Sequence, residues 1–193
     1  MTLLGIGAMA SPRYRPAGLL VEYASARVML DGGPRAAPIG PLDDWLVTDA
    51  RGELIAAIRV LARRRGLEPG VKAFKRGKLS ITPRRVVHTS HPAFGYLIRA
   101  PRQTAVWAPE FYRFPRWARG AELMFAEAAG WSRPIRFAGG VGGHAALVDV
   151  ARCARRAKVK RLVFAHVGRP TIRALERGEA LPFGELGKEH HVY

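Results

Sequence analysis

The chain has 193 residues, 48% of them apolar, and 32 Lys and Arg against 15 Asp and Glu, a net charge of +17. That length fits one domain, with residues 180–193 as a C-terminal tail, and the apolar share is enough for a core. No apolar run approaches the roughly eighteen residues that span a bilayer, and one cysteine, Cys153, excludes an internal disulfide.

The opening MTLLGIGAMASPRYRP has no basic segment before an apolar run, so no secretory signal is expected. With the lone cysteine, this suits a reducing cytoplasm. Gly5-Ile6-Gly7-Ala8-Met9-Ala10 matches a dinucleotide fingerprint, but the following SPRYRPAG has two prolines and no helical period. A pyrophosphate there needs a helix N-terminus, so a loop after a first strand is expected instead.

GLLVEY and RVMLD (18–23 and 27–31) read as a tight hairpin, broken by Gly32, Gly33 and Pro34; 45–48 is a further strand. Residues 53–65 have helical period, with Leu54, Ile58, Leu61 and Ala62 on one face and Gly66 as the stop. Then come short runs, VKAF, LSITP, VVHTS, FGYLIRA and TAVWAPE, punctuated by Gly77, Pro83, Pro92 and Pro101. ELMFAE and residues 135–138 read as strands, and 144–158 as an amphipathic helix with its arginines outward. RLVFA is a buried strand, and GRPTIRALERG a last short helix. Cys153 falls on the helix spacing of a small core residue. This order implies α/β (α+β) architecture with two sheets and helices outside, not regular βαβ alternation.

Several segments in that order resemble the metallo-β-lactamase superfamily, nearest its ribonuclease Z and phosphodiesterase branch. They are LLGIGAMASPRYRPAGLLVEYASARVMLDGGP, LVTDARGEL, HTSHPAFGYLIRAPRQTAVWAPEF, ELMFAEA and GGHAALVDVARCARRAKVKRLVFAHVGRP. The resemblance covers nearly the whole chain and implies a four-layer αββα sandwich. It also implies two metal ions held by histidines and carboxylates, activating water for hydrolysis.

The key residues are eroded. In the His-x-His-x-Asp-His loop of that family, the matched positions are Asp49, Arg51, Glu53 and Leu54. Residues 55–87 hold no histidine where the family has its next one. Glu110 matches an aspartate ligand, His166 a ligand, and His144 a histidine that assists catalysis without binding metal. A guanidinium has no lone pair to give, so Arg51, which falls where a metal should sit, is read as neutralising Asp49, Glu53 or Glu110 in a structural ion-pair cluster, with metal binding as the alternative. Asp49, Glu53, Glu110 and His166 are the candidate ligands for a weakly bound divalent ion, zinc or manganese.

Three further features have two readings each. His88 and His91 either line the cleft or form a hydrogen-bonded structural pair. The glycines of FAGGVGGH, with Gly142, Gly143 and Arg169, form either an anion site or a tight turn. Phe111, Tyr112, Phe114 and Trp117, interleaved with Arg113 and Arg116, form either a base-stacking platform or a loop packed over the cleft. His190 and His191 are expected in an exposed tail. The charge is either surface composition or a footprint for nucleic acid, with Lys72, Lys75, Arg76 and Lys78 as candidate phosphate contacts, or for a phosphorylated small molecule. No membrane partner is expected. Two functions follow. One is a metallo-β-lactamase-like protein without dinuclear-zinc hydrolysis that binds phosphate-rich ligands or nucleic acid. The other is a divergent phosphodiesterase or nuclease using Glu110, His144 and His166, with Glu110 and His144 as catalytic groups.

Overall fold

The computed structural model describes all of residues 1–193. One sheet holds four strands, β1 (Thr2–Gly5), β2 (Gly18–Tyr23), β3 (Ala26–Asp31) and β4 (Asp44–Leu46), in the order β1-β2-β3-β4. After α1 (Ile55–Arg63) come β5 (Phe74–Arg76), β6 (Leu79–Val86), β7 (Ala93–Ala100), β8 (Gln103–Ala108) and β9 (Leu123–Ala128). A short ribbon, β10 (Ile135–Arg136) with β11 (Gly143–His144), precedes α2 (Leu147–Arg156). The chain ends with β12 (Arg161–Val167), α3 (Arg169–Glu176) and β13 (Glu185–Leu186). The second sheet has the order β13-β12-β9-β8-β7-β6-β5.

Alternation along the strands builds the layers. In the first sheet, Leu3, Leu19, Val21, Val28 and Leu30 face the main core with the second sheet, while Leu4, Leu20 and Met29 face a smaller cluster with Ile58 and Ala62 of α1. Leu147, Val150, Ala151 and Ala154 of α2 and Ile172 of α3 pack with β9 and β12 residues in the main core. The layers are therefore helix, sheet, sheet, helix, the α+β sandwich expected. No helix is long and apolar enough to cross a membrane.

Four details depart from the sequence reading. β6 runs straight through Pro83, because its pairing with β5 ends at Ile81 and the side facing away from β7 needs no N–H there. His144 sits in β11, ahead of α2 rather than inside it, since β10 pairs with β11. Cys153 is half-buried. The segment 180–193 is tied down: β13 pairs with β12, and Leu3, His190 and His191 exchange backbone hydrogen bonds while both histidine side chains stay exposed.

Candidate functional site

Strand polarity makes the site. β8, β9 and β12 are mutually parallel, and so are β3 and β4. Their C-terminal ends deliver Asp31, Thr48, Asp49, Glu110, Glu127 and His166 to one edge, where open α/β sheets carry their ligands. There is no dinucleotide loop at residues 5–10: Gly7 bridges to Pro16 and Val167, and no helix follows.

Asp31 ends β3 with φ of 51°. Its carboxylate accepts from the Thr48 amide (2.7 Å), the Thr48 hydroxyl (3.0 Å) and the Trp107 indole (2.7 Å), and its carbonyl from the Trp45 indole (2.8 Å). It thus pins both sheets at the floor of the site. Burial of this carboxyl pushes its pKa up to about 7, against the pull of the Trp107 and Thr48 hydrogen bonds. Tyr96 Oη donating to Val47 O (2.8 Å) and the Phe94 amide donating to Thr48 O (2.9 Å) add further ties between the sheets.

Glu127 is fully buried in the otherwise apolar β9. It accepts from two amides, Phe111 (3.1 Å) and Ala129 (2.8 Å), and from two imidazoles, His144 Nδ1 (2.7 Å) and His166 Nδ1 (3.2 Å). Burial alone would raise its pKa, but the two histidines outweigh burial and hold it down at about 2. The backbone aims His166 there. Between Phe164↔Ala126 and Val167↔Ala128, β12 advances three residues while β9 advances two. The extra residue is a bulge in which His166 takes φ of 64°.

His166 Nε2 then meets Glu110 at 2.7 Å, and His88 Nε2 meets the other oxygen of Glu110 at 3.3 Å. Burial would lower the His166 pKa, but Glu110 and Glu127 together raise it to about 10. Burial would likewise raise Glu110, yet His166 and His88 hold it well below the carboxylate range. His88 is raised: burial opposes, and Glu110 and the Gly143 carbonyl, which accepts from Nδ1 at 2.9 Å, prevail. The His144 and His166 rings stack with centroids 5.1 Å apart, and Phe137 sits edge-on to both His88 and His144, 5.4 Å away.

The candidate ligands Asp49, Glu53, Glu110 and His166 all line one cavity with Asp31, but the pair in contact is Glu110 with His166. Asp49 is taken by His91 (Nε2 to Oδ2, 2.7 Å). Glu53 is exposed and makes no ion pair. The ion-pair cluster expected around Arg51 does not form: its side chain is exposed and only its amide reaches Asp49, 2.7 Å away, closing a turn. His88 and His91 are not a mutual pair, since each goes to a different carboxylate. The first histidine after residues 55–87 is His88, just before the middle hairpin, and its ring faces Glu110.

The expected anion loop is built differently. The Gly143 amide is spent on His88 O (2.8 Å), and a side chain at Gly142 would strike that carbonyl. The first α2 amides, Leu147 and Val148, go to Gly130 and Trp131 carbonyls. These glycines therefore serve close packing of the ribbon beside His88. Arg169 does reach the cleft, a hollow of about 620 Å³ whose rim it shares with Arg51, His91 and Phe137.

The basic run does not. Lys72 pairs with Asp44 (2.8 Å) and Arg76 with Asp43 (2.6 Å). Lys75, in β5 opposite Ser80, and Lys78, in the turn before Leu79, lie beside the start of β6, an eight-residue strand. They are therefore about 20 to 25 Å from the cleft end of that strand at ~3.3 Å per residue. Glu127 escaped the sequence reading, although a lone acid inside LMFAEA was the available signal.

Glu127, His144 and His166 are the three potential metal ligands whose donor atoms lie within 4.8 Å of one another. No family model and no curated protein matches the sequence. Solved structures do match. The metallo-β-lactamase fold protein YhfI of Bacillus subtilis is similar over 100% of this chain and 98% of its own, with TM-score 0.78 and 16% identity. A diphosphatase of the PhnP family gives 0.71 and 19% over 98% and 95%. Human tRNase Z, short form, gives 0.64 and 14% over 99% and 96%. The chain has the metallo-β-lactamase fold.

Proposed function

We propose that this chain is a single metallo-β-lactamase-fold domain that binds a phosphate-bearing ligand in its cleft without a dinuclear zinc centre. The observation that carries this reading is that the cleft imidazoles already face carboxylates: His88 and His166 on Glu110, His144 and His166 on Glu127, His91 on Asp49. Two metals do not fit these residues. Arg51 has no lone pair, Leu54 packs in the α1 cluster, and Glu53 faces solvent. In the Glu127–His144–His166 group both Nδ1 atoms are already spent on Glu127, which also holds two amides and is fully buried. What the rim offers instead is a pair of exposed arginines, Arg51 and Arg169, that make no salt bridge and outnumber its one exposed, unpaired carboxylate, Glu53. A fork of guanidinium N–H groups suits phosphate oxygens. The resemblance to a diphosphatase and to tRNase Z supports a phosphate-bearing ligand.

The test has two parts. Elemental analysis of freshly purified protein is expected to give far less than two zinc ions per chain. Titration calorimetry with pyrophosphate is expected to show binding that Arg51→Ala and Arg169→Ala each weaken about tenfold, the loss of one charge-assisted contact. Two zinc ions, lost together in His166→Ala, overturn the metal half; pyrophosphate binding indifferent to both arginines overturns the ligand half.

One observation favours a second reading, phosphodiester hydrolysis. His144 is held through Nδ1 by buried Glu127, which leaves Nε2 as its free ring nitrogen, the arrangement of a general acid or base. Turnover of bis(p-nitrophenyl) phosphate, with and without added manganese, that His144→Ala abolishes and Arg51→Ala does not would favour it.

A further inference from the structure

A second hollow, of about 440 Å³, opens beside the cleft. One wall is the end of β6 and the following turn, with Arg85, Thr89 and His91; the other is the loop carrying Arg113, Arg116 and Trp117. The walls are pinned together. The Tyr112 amide donates to Val87 O at 2.6 Å, and the Trp117 indole donates to Arg85 O at 3.0 Å. Phe114, edge-on to buried Phe111 at 6.0 Å, closes the loop side.

Three properties set this groove apart. Its lining includes no Asp or Glu, whereas the cleft has Asp49, Glu53 and Glu110. Arg85, Arg113 and Arg116 are exposed and make no salt bridge, while Lys72 and Arg76 of the β5 region are neutralised. Lastly, it is continuous with the cleft: Thr89 and His91 line both hollows. Cations for phosphates, a half-buried indole, Trp117, for a base and a path between two hollows are what a flexible polynucleotide strand needs, and a lone phosphate needs only the first.

We propose that this groove is a binding site for single-stranded nucleic acid, with a base on Trp117, phosphates on Arg113 and Arg116, and the strand continuing past Thr89 and His91 into the cleft. A duplex is disfavoured, because its internal bases are stacked on one another and offer Trp117 no free face, leaving only the phosphates to Arg113 and Arg116. The course of the strand beyond His91 rests on the phosphate-binding reading of the cleft; the groove itself does not.

Fluorescence anisotropy with labelled hexauridylate and hexathymidylate tests this, with a hairpin duplex as the third probe. Both single strands are expected to bind, and the duplex much more weakly. Trp117→Ala should weaken single-strand binding about fivefold or more, and Trp117→Phe should restore most of it. Since Trp117→Ala also removes the indole bond to Arg85, the surface double variant Arg113→Ala/Arg116→Ala gives the independent measure. It should lower the slope of log affinity against log salt by about 1.4, two phosphates at about 0.7 each. Equal affinity for the duplex, or single-strand binding unchanged in both Trp117→Ala and the double variant, overturns the groove. If Arg51→Ala weakens pyrophosphate binding about tenfold while groove variants leave the oligonucleotides untouched, the cleft reading stands and this one falls. If pyrophosphate never binds but the groove variants act as described, the groove stands and the cleft reading falls.

Discussion

The two sides of the cleft are built on opposite rules. On the side of β8, β9 and β12, Glu110, Glu127, His88, His144 and His166 are wholly or largely enclosed and each has a partner at 3.3 Å or less. Across from them, the loop after β4 leaves Arg51 and Glu53 exposed, with no partner for either side chain. A buried charge without a partner is costly, so the first side must be satisfied internally and contributes to holding the sheets in register. The second carries little of the fold and is free to meet a ligand. Substitutions should therefore divide cleanly: stability on one side, binding on the other.

The largest effect is expected from Glu127→Ala. It strands two imidazoles and two amides, and breaking such a buried pair costs about 3–5 kcal/mol. Thermal melting should fall by about 10 °C for a chain of this size. A change of under 2 °C would mean the cluster contributes nothing to folding and would erase the contrast.

The pH profile of stability comes next, and its sign differs by group. His166 is raised from 6.5 to about 10, so its contribution is complete below pH 6.5 and is lost as pH climbs toward 10. Asp31, raised from 3.8 to about 7, acts in the same direction between those values. Glu127, lowered from 4.5 to about 2, contributes above pH 4.5 and is lost as pH falls toward 2. Urea unfolding should show a maximum near pH 5, with a decline of several kcal/mol toward pH 10. Each tenfold difference in proton affinity between the folded and unfolded chain is worth about 1.4 kcal/mol. A profile flat from pH 6 to 10 would show that His166 is not charged in the fold.

Asp31→Asn is expected to cost about 1–3 kcal/mol, because an amide cannot accept from Thr48 and Trp107 as a carboxylate does. It should also flatten the decline between pH 4 and 7, which locates that part of the profile at the floor of the site. The smallest stability change is expected for Arg51→Ala, within about 0.5 kcal/mol, as for other exposed positions. Its effect should appear in pyrophosphate binding; a large loss of stability there would make the loop part of the fold's support after all.

Much of this was legible in sequence because it depends on period. The alternation of GLLVEY, the arginine-free face of α2 and the buried run RLVFA dictate their own elements, and chain order with the Asp-Gly-Gly-Pro turn and HVGRP pointed to the fold. Grouping Asp49, Glu53, Glu110 and His166 followed from that order, and all four line one cavity. Pairing did not. Which carboxylate each histidine meets depends on a one-residue bulge before Val167 and on a ribbon that sets Gly143 against His88, and neither leaves a periodic trace. Charge was legible as a total of +17 but not as a place: opposite ends of β6 read alike in sequence, and only the tertiary structure neutralised Lys72 and Arg76 while leaving Arg85 free beside Trp117. Sequence determines local geometry through sterics and solvation along the chain. Partners across the chain, and hence the chemistry of a site, are set by distances that exist only once the sheets have packed.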